Sequence, residues 1–190
     1  VCPSHGFRFT GEGQCTLAPC NGVAFTPPEA IRAAAVPAAE AAGFVFLWLG
    51  DGAPAPDGPR FFDDLGPGLA HASSRQTWRA HYARMIENQL DVAHLPFVHG
   101  DTIGRGGRTL VDGPLVEWLD PDRFRVYVFN RVDDGSAPRR ASQLERPDVA
   151  FHLEFLFPNL WQNHIGPGLR IVAAFAPVDD ESSVLYLRTY

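Results

Sequence analysis

The chain has 190 residues, of which 45% are hydrophobic and 20% charged, and its net charge is −6. That size and mix belong to a folded globular protein and exclude a disordered chain, which could not bury enough apolar surface to offset its ordering entropy. All 16 basic residues are arginine and form no basic block, which argues against a nucleic-acid partner. No apolar run nears the roughly 20 residues of a bilayer span, so no membrane partner is expected.

In chain order, residues 1–20 place short apolar stretches on either side of Gly-rich turns, the pattern of a β-hairpin. GFVFLWLG at 43–50 is a continuous apolar run bounded by glycine and predicts a buried strand. DGAPAPDGP at 51–59 is too rich in Pro, Gly and Asp for regular structure and is read as a linker. TWRAHYAR at 77–84 reads as a strand, and IENQLDVAHL at 86–95 as a short helix that Pro96 must end or kink. GDTIGRGGR at 100–108 is a loop. Five strands follow: PLVEWL, RFRVYVFNRV, AFHLEFLF, RIVAAFAPV and SVLYLRTY. Turn signals at Asp120-Pro121-Asp122 and Asp179-Asp180-Glu181-Ser182 separate neighbours. The whole predicts an α+β fold with an antiparallel sheet and a helix near its start. Val1 leads straight into a motif and the last strand runs into Tyr190, so both ends read as cut and no signal peptide is expected.

Three cysteines, Cys2, Cys15 and Cys20, are too few for a disulfide scaffold and fit a reduced compartment. Cys2-Pro3-Ser4-His5-Gly6 sets a thiolate and an imidazole three residues apart in a tight loop, a spacing that can present two metal ligands. Alone, the spacing is a weak signal, open also to half a zinc site completed by Cys15 or Cys20, or to an ordinary loop. A second group lies in Asp91-Val92-Ala93-His94-Leu95-Pro96-Phe97-Val98-His99. On a helix Asp91 and His94 would share a face. His94 and His99, five apart, would diverge by roughly 140° on an ideal helix. A break at Pro96 lets His99 swing back toward His94. Two converging imidazoles with room for a carboxylate match the facial triad of non-haem Fe(II) oxygenases. The bland reading is a pair of half-buried histidines near a helix end.

The full strings narrow these choices. CPSHGFRF, with Phe7 and Phe9 at the aromatic positions, resembles the second ligand loop of a Rieske iron–sulfur domain. NQLDVAHLPFVH resembles the mononuclear-iron motif of the Rieske non-haem iron oxygenases. The two occur in that family's order. GFVFLWLGD resembles the last Rieske strand, and FPNLWQNHI through VLYLRTY resembles the catalytic sheet, closest to oxygenase α-subunits of the aromatic-acid and O-demethylase type.

The resemblance implies an α+β chain: residues 1–50 the C-terminal part of a Rieske 2Fe–2S domain, 51–59 a linker, and 60–190 a helix-grip catalytic domain truncated at its C-terminus. It implies Cys2 and His5 as ligands of a 2Fe–2S cluster, whose two imidazoles raise the potential to about −150 to +300 mV. His94 and His99 become ligands of a mononuclear Fe(II), and Asp91 a bridge for electrons rather than a ligand. The other Cys/His pair and the carboxylate ligand are expected outside these residues, so the fragment alone is expected to be inactive.

The implied activity is that of an oxygenase. Electrons from NAD(P)H reach it through a reductase or ferredoxin, and O2 is used to hydroxylate or demethylate an organic, aromatic-type substrate, in a homotrimer in the bacterial cytoplasm. Asn159, Trp161, Asn163 and His164 fall where the family lines its substrate pocket. Strand alternation puts His152 and Glu154 on one face, read as facing solvent. His71 and His81 carry no spacing signal and read as surface residues, and Asp179, Asp180 and Glu181 as a turn. The alternatives are a ligand-binding helix-grip module without redox chemistry and a small zinc protein using Cys2, His5, Cys15 and Cys20.

Overall fold

A computed structural model describes residues 1–66, 68–147 and 151–190. The chain divides into two compact units, Val1–Phe61 and Phe62–Tyr190. No helix among the described residues is long and apolar enough to cross a membrane.

The first unit holds two small antiparallel hairpins. β1 (Arg8–Phe9) pairs with β2 (Cys15–Leu17), and β3 (Ala38–Ala41) with β4 (Phe44–Leu47). The expectation of a buried strand at 43–50 is corrected here. In β4 the phenylalanines Phe44 and Phe46 pack edgewise on one face, with Phe61 beside Phe44, while Val45 is 72% and Leu47 59% exposed. A two-stranded ribbon has only one face to pack, so an unbroken apolar run cannot be buried on both sides. Residues 51–59 carry neither helix nor strand.

The second unit is built on a seven-stranded antiparallel sheet. Its elements are β5 (Ala72–Trp78), α1 (Tyr82–Leu90), α2 (Leu95–Val98), β6 (Leu110–Val111), β7 (Leu115–Asp120), β8 (Arg123–Tyr127) and β9 (Asn130–Arg131). Then come β10 (His152–Leu156), β11 (Leu160–Gly166), β12 (Leu169–Pro177) and β13 (Ser183–Thr189). The sheet order is β5-β13-β12-β11-β10-β8-β7, and β6 pairs with β9 apart from it. The α+β class with an antiparallel sheet is the one expected. The predicted strand at 150–157 is β10; its first residue, Ala150, lies outside the described residues.

The strand expected over RFRVYVFNRV divides into β8 and β9, which pair with different strands, and β11 is not among the strands expected. Two boundaries near α1 also differ. The strand placed at 77–84 ends at Trp78, and the helix placed at 86–95 runs from Tyr82 to Leu90. Tyr82, Met85, Ile86 and Leu90 follow the i, i+3, i+4, i+8 spacing of a helix stripe and pack on the sheet core. His81 is exposed, as expected, and also starts this helix: in extended conformation, its Nδ1 accepts from the Ala83 N–H at 3.3 Å. The core beneath α1 comes from one face of the strands: Val126, Leu153, Phe155, Trp161, Ala173, Phe175 and Leu185.

The edge of this unit is pinned by Asp112, buried next to β6. It accepts from the Arg139 backbone N–H at 2.9 Å, Arg139 Nε at 2.7 Å and Arg131 Nε at 3.1 Å. Its pKa is held at about 2, first by that backbone N–H and then, against the opposing effect of burial, by the Arg131 and Arg139 guanidinium groups. It is therefore an anion at neutral pH, answered on every side.

Candidate functional site

Asp91, His94 and His99 sit on the segment that leaves α1. Asp91 is extended (φ −78°, ψ 115°) and ends the helix, with its N–H still donating to the Glu87 carbonyl. Asp91 and His94 therefore do not share a helix face, and the helix does not reach 95. They meet instead through a turn: Asp91 Oδ1 accepts from the Ala93 N–H at 2.7 Å, and Oδ2 lies 3.3 Å from His94 Nδ1. His94 is 18% exposed and Asp91 49%. The Asn130 side chain of β9 clamps the same turn by donating to the Val92 carbonyl at 2.9 Å.

Pro96 does not end a helix; it begins one. It lies in the first turn of the one-turn helix α2, where its missing N–H has no intrahelical partner to lose. His94 caps the start of α2, its carbonyl accepting from the N–H of Phe97 and Val98, and His99 caps the end, donating to the Leu95 carbonyl. A single turn thus carries both imidazoles, with ring centroids 5.4 Å apart and planes at 67°. Two imidazoles bound to one ion at ~2.0–2.1 Å, about 110° apart, would have centroids roughly 5.2 Å apart, so the pair fits a shared metal. His94 Nδ1 is buried and faces Asp91 without a hydrogen bond of good geometry, which leaves Nε2 as the outward donor. Among the described residues no third ligand-bearing side chain joins His94 and His99.

The loop after His99 is packed closely on α2. The His99 carbonyl accepts from the N–H of Thr102 and Gly104, both at 2.9 Å. A Cβ on Gly104 would lie 2.0 Å from the Leu95 carbonyl oxygen and 2.9 Å from Pro96 Cα. Both contacts are backbone, so they cannot rotate away. Gly104→Ala is therefore expected to displace α2 and destabilise the unit by about 1–3 kcal/mol, the range of an overpacked site. Gly66→Ala, with nothing within 4 Å of its Cβ, serves as the control. Thermal unfolding of the two variants checks this; equal midpoints would show that the loop yields freely.

In the first unit, Cys2 and His5 occupy a closed turn. The Cys2 N–H donates to the Phe7 carbonyl at 2.7 Å and the Gly6 N–H to the Cys2 carbonyl at 2.9 Å. Gly6 has φ +73°, a conformation that favours glycine. Cys2 is a free, half-buried thiol and His5 is exposed, so both ends are open to an incoming group. That donor set fits one half of a cluster site. Cys15 is buried, with its thiol against the Leu17 carbonyl, and Cys20 is exposed beside Asn21. Among the described residues, these two cysteines do not gather with Cys2 and His5 into a metal-sized group.

The four residues expected to line one pocket are divided by the strand. Trp161 and Asn163 point to the face that carries α1, whereas His164, directly opposite His152, points to the other. Asn159 precedes β11 and spends its amide on the Phe175 carbonyl at 2.8 Å. His152 and Glu154 are not on a solvent face: they are 7% and 2% exposed, and His164 is 6% exposed. The Phe62–Leu65 segment returns over this side, with Phe62 and Leu65 buried and Asp64 hydrogen-bonded to Gln162. Burial first, then the neighbouring His152 and Arg170, lowers the His164 pKa to about 4, so the ring is neutral at pH 7. Asp179 closes its turn by accepting from the Glu181 N–H and Ser182 Oγ, as the turn reading expects. His71 is exposed.

An antiparallel sheet with a helix across one face, and a two-histidine turn leaving that helix, define an α+β catalytic domain of the helix-grip kind. Residues 78–190 match the family model of the vanillate O-demethylase oxygenase C-terminal domain. The chain belongs to the Rieske-type oxygenases that carry this domain.

It is 39% identical over 106 residues to a chloroplastic chlorophyllide a oxygenase of Chlamydomonas reinhardtii, covering 56% of this chain and 16% of that protein. It is 30% identical over 133 residues to the vanillate O-demethylase oxygenase subunit of Pseudomonas sp. (strain ATCC 19151), covering 68% of this chain and 38% of that one. The fold is shared with dicamba monooxygenase crystallised with dicamba: TM-score 0.68 at 18% identity, over 99% of this chain and 58% of the other. The chain thus spans well under two thirds of these relatives.

Proposed function

We propose that this chain works in the oxygenase component of a Rieske-type system that hydroxylates or demethylates an organic substrate, aromatic in class. The observation that carries this reading is the turn that brings His94 and His99 together with Asp91 behind His94. Cys2 and His5 would hold half of a 2Fe–2S cluster, and His94 and His99 would supply two donors to Fe(II). When bound, the cluster supplies one-electron transfer and the iron supplies O2 activation. Electrons come from NAD(P)H by way of a reductase or ferredoxin. Residues 1–50 serve as the Rieske part, 51–59 as linker and 60–190 as the catalytic part, in a homotrimer in the bacterial cytoplasm.

The chain's own contribution is positional. Asp91 Oδ2 stands behind His94, 3.3 Å from Nδ1, which leaves Nε2 as the nitrogen to meet a metal. Asp91 is itself held by the Ala93 N–H, and its half-exposed carboxylate stays free to meet a histidine of a neighbouring subunit.

In the full gene product, assayed with its reductase, Asp91→Asn is expected to leave iron content unchanged and lower turnover about 10–100-fold, the usual cost of an outer-sphere partner. Loss of iron from a folded variant would make Asp91 a ligand. A colourless wild-type protein without iron, or one holding zinc on Cys2, His5, Cys15 and Cys20, would overturn the oxygenase reading.

A further inference from the structure

The sheet face away from α1 carries a second histidine–carboxylate group that the oxygenase reading does not use. His152 and Glu154 alternate on β10, and His164 stands opposite His152 on β11. One donor atom from each lies within 4.8 Å of the others, and all three side chains are more than nine-tenths buried. The two rings stack at 3.9 Å. His152 Nε2 and both nitrogens of His164 are buried with no hydrogen-bond partner. Buried imidazole nitrogens are ordinarily satisfied by protein or water, so three unsatisfied ones lining one cavity of about 320 Å³ point to an occupant.

We propose that His152, Glu154 and His164 bind a divalent transition-metal ion of the zinc type. The donor set suits it: two imidazoles and one carboxylate, with nitrogen and oxygen in the proportion that borderline cations favour. Asp64 lies at the mouth, its Oδ2 3.6 Å from His164 Nε2, and supplies a fourth donor. The two carboxylates answer a dication's charge against Arg123, Arg125 and Arg170, which line the same cavity.

Glu154 is already oriented from behind: Arg125 Nε donates to Oε2 at 2.7 Å, and Arg123 Nε lies 3.5 Å from Oε1. A carboxylate has lone pairs enough to keep such a partner while ligating, and ligating carboxylates are commonly held in this way. A plain salt-bridge network would use these arginines equally well, with His152 Nε2 3.6 Å from Glu154 Oε2, but it would leave His164 Nδ1 buried without a partner.

The test is zinc stoichiometry. Metal-free wild-type chain, His164→Asn and His152→Asn are each equilibrated with zinc chloride, gel-filtered and analysed for metal. Cys2, His5, His94 and His99 are intact in all three, so any difference belongs to this group, and failure here leaves the oxygenase reading untouched. The expected result is one equivalent more zinc on the wild type than on either variant, with matching circular dichroism. Equal zinc on all three folded proteins overturns the proposal. Should neither variant fold, an anomalous map at the zinc edge from wild-type crystals decides: a peak between the two rings supports the site, and none there overturns it.

Discussion

Replacing both His94 and His99 by alanine is expected to weaken Fe(II) binding at least about 100-fold, beyond the 10–100-fold cost of losing an outer-sphere partner. The reason is geometric. Both donors lie on one turn, and among the described residues no third ligand-bearing side chain groups with the pair. The fold should survive, because Phe97 and Val98 of α2 are exposed and the sheet core lies elsewhere. Anaerobic iron titration, with circular dichroism as the control, reads the outcome. Unchanged iron affinity in a folded double variant would remove this turn from the metal chemistry and leave the proposed oxygenase role without its main support.

A comparably large effect is expected in the core. Phe175 is completely buried on β12, among Met85, Phe155, Trp161 and Leu185. Phe175→Ala removes a ring that its neighbours cannot close over, and should cost about 3–5 kcal/mol. In a unit of this size that is a fall in Tm of about 10 °C or more. Val178→Ala, in an exposed turn, should stay within about 0.5 kcal/mol. Calorimetry on the two variants checks the contrast. Similar midpoints would mean that the sheet and α1 do not melt as one cooperative unit.

Much of this architecture is legible along the chain because it is local. The turns at Asp120–Asp122 and Asp179–Ser182 carry their own acceptors, so the strands on either side of them are bounded by their own residues. The motif at 91–99 was visible as spacing, and Pro96 signalled an interruption. What spacing could not show is that the interruption starts a new helix. Likewise Trp78, Ala80, Tyr82 and Arg84 alternate like a strand, yet Tyr82, Met85, Ile86 and Leu90 make a better helix stripe, and that stripe meets the core. Competing periods over a short window are settled by what lies across the space, not by the segment itself.

The largest misreading has the same origin. His152 and Glu154 alternate with apolar residues as a half-exposed strand would, but Phe62–Leu65, about ninety residues earlier, covers them. Nothing in β10 announces that cover. The only hint is FFDDL, two aromatics followed by two acids and a leucine, a segment able to bury its apolar side and pair its acids with Arg123 and Arg170.

The brevity of α2 has a further meaning. Four residues are far below the length at which backbone hydrogen bonds sustain a helix by themselves. Its rigidity is imposed from outside, by the Asn130 amide on Val92 at one end and the Gly104 backbone wedged against Leu95 at the other. The separation of the two imidazoles is therefore a mechanical quantity set by remote anchors. Slackening either anchor would widen the distribution of ring distances without touching a donor atom, so the selectivity of the site among ions of different radius can drift through substitutions well away from it.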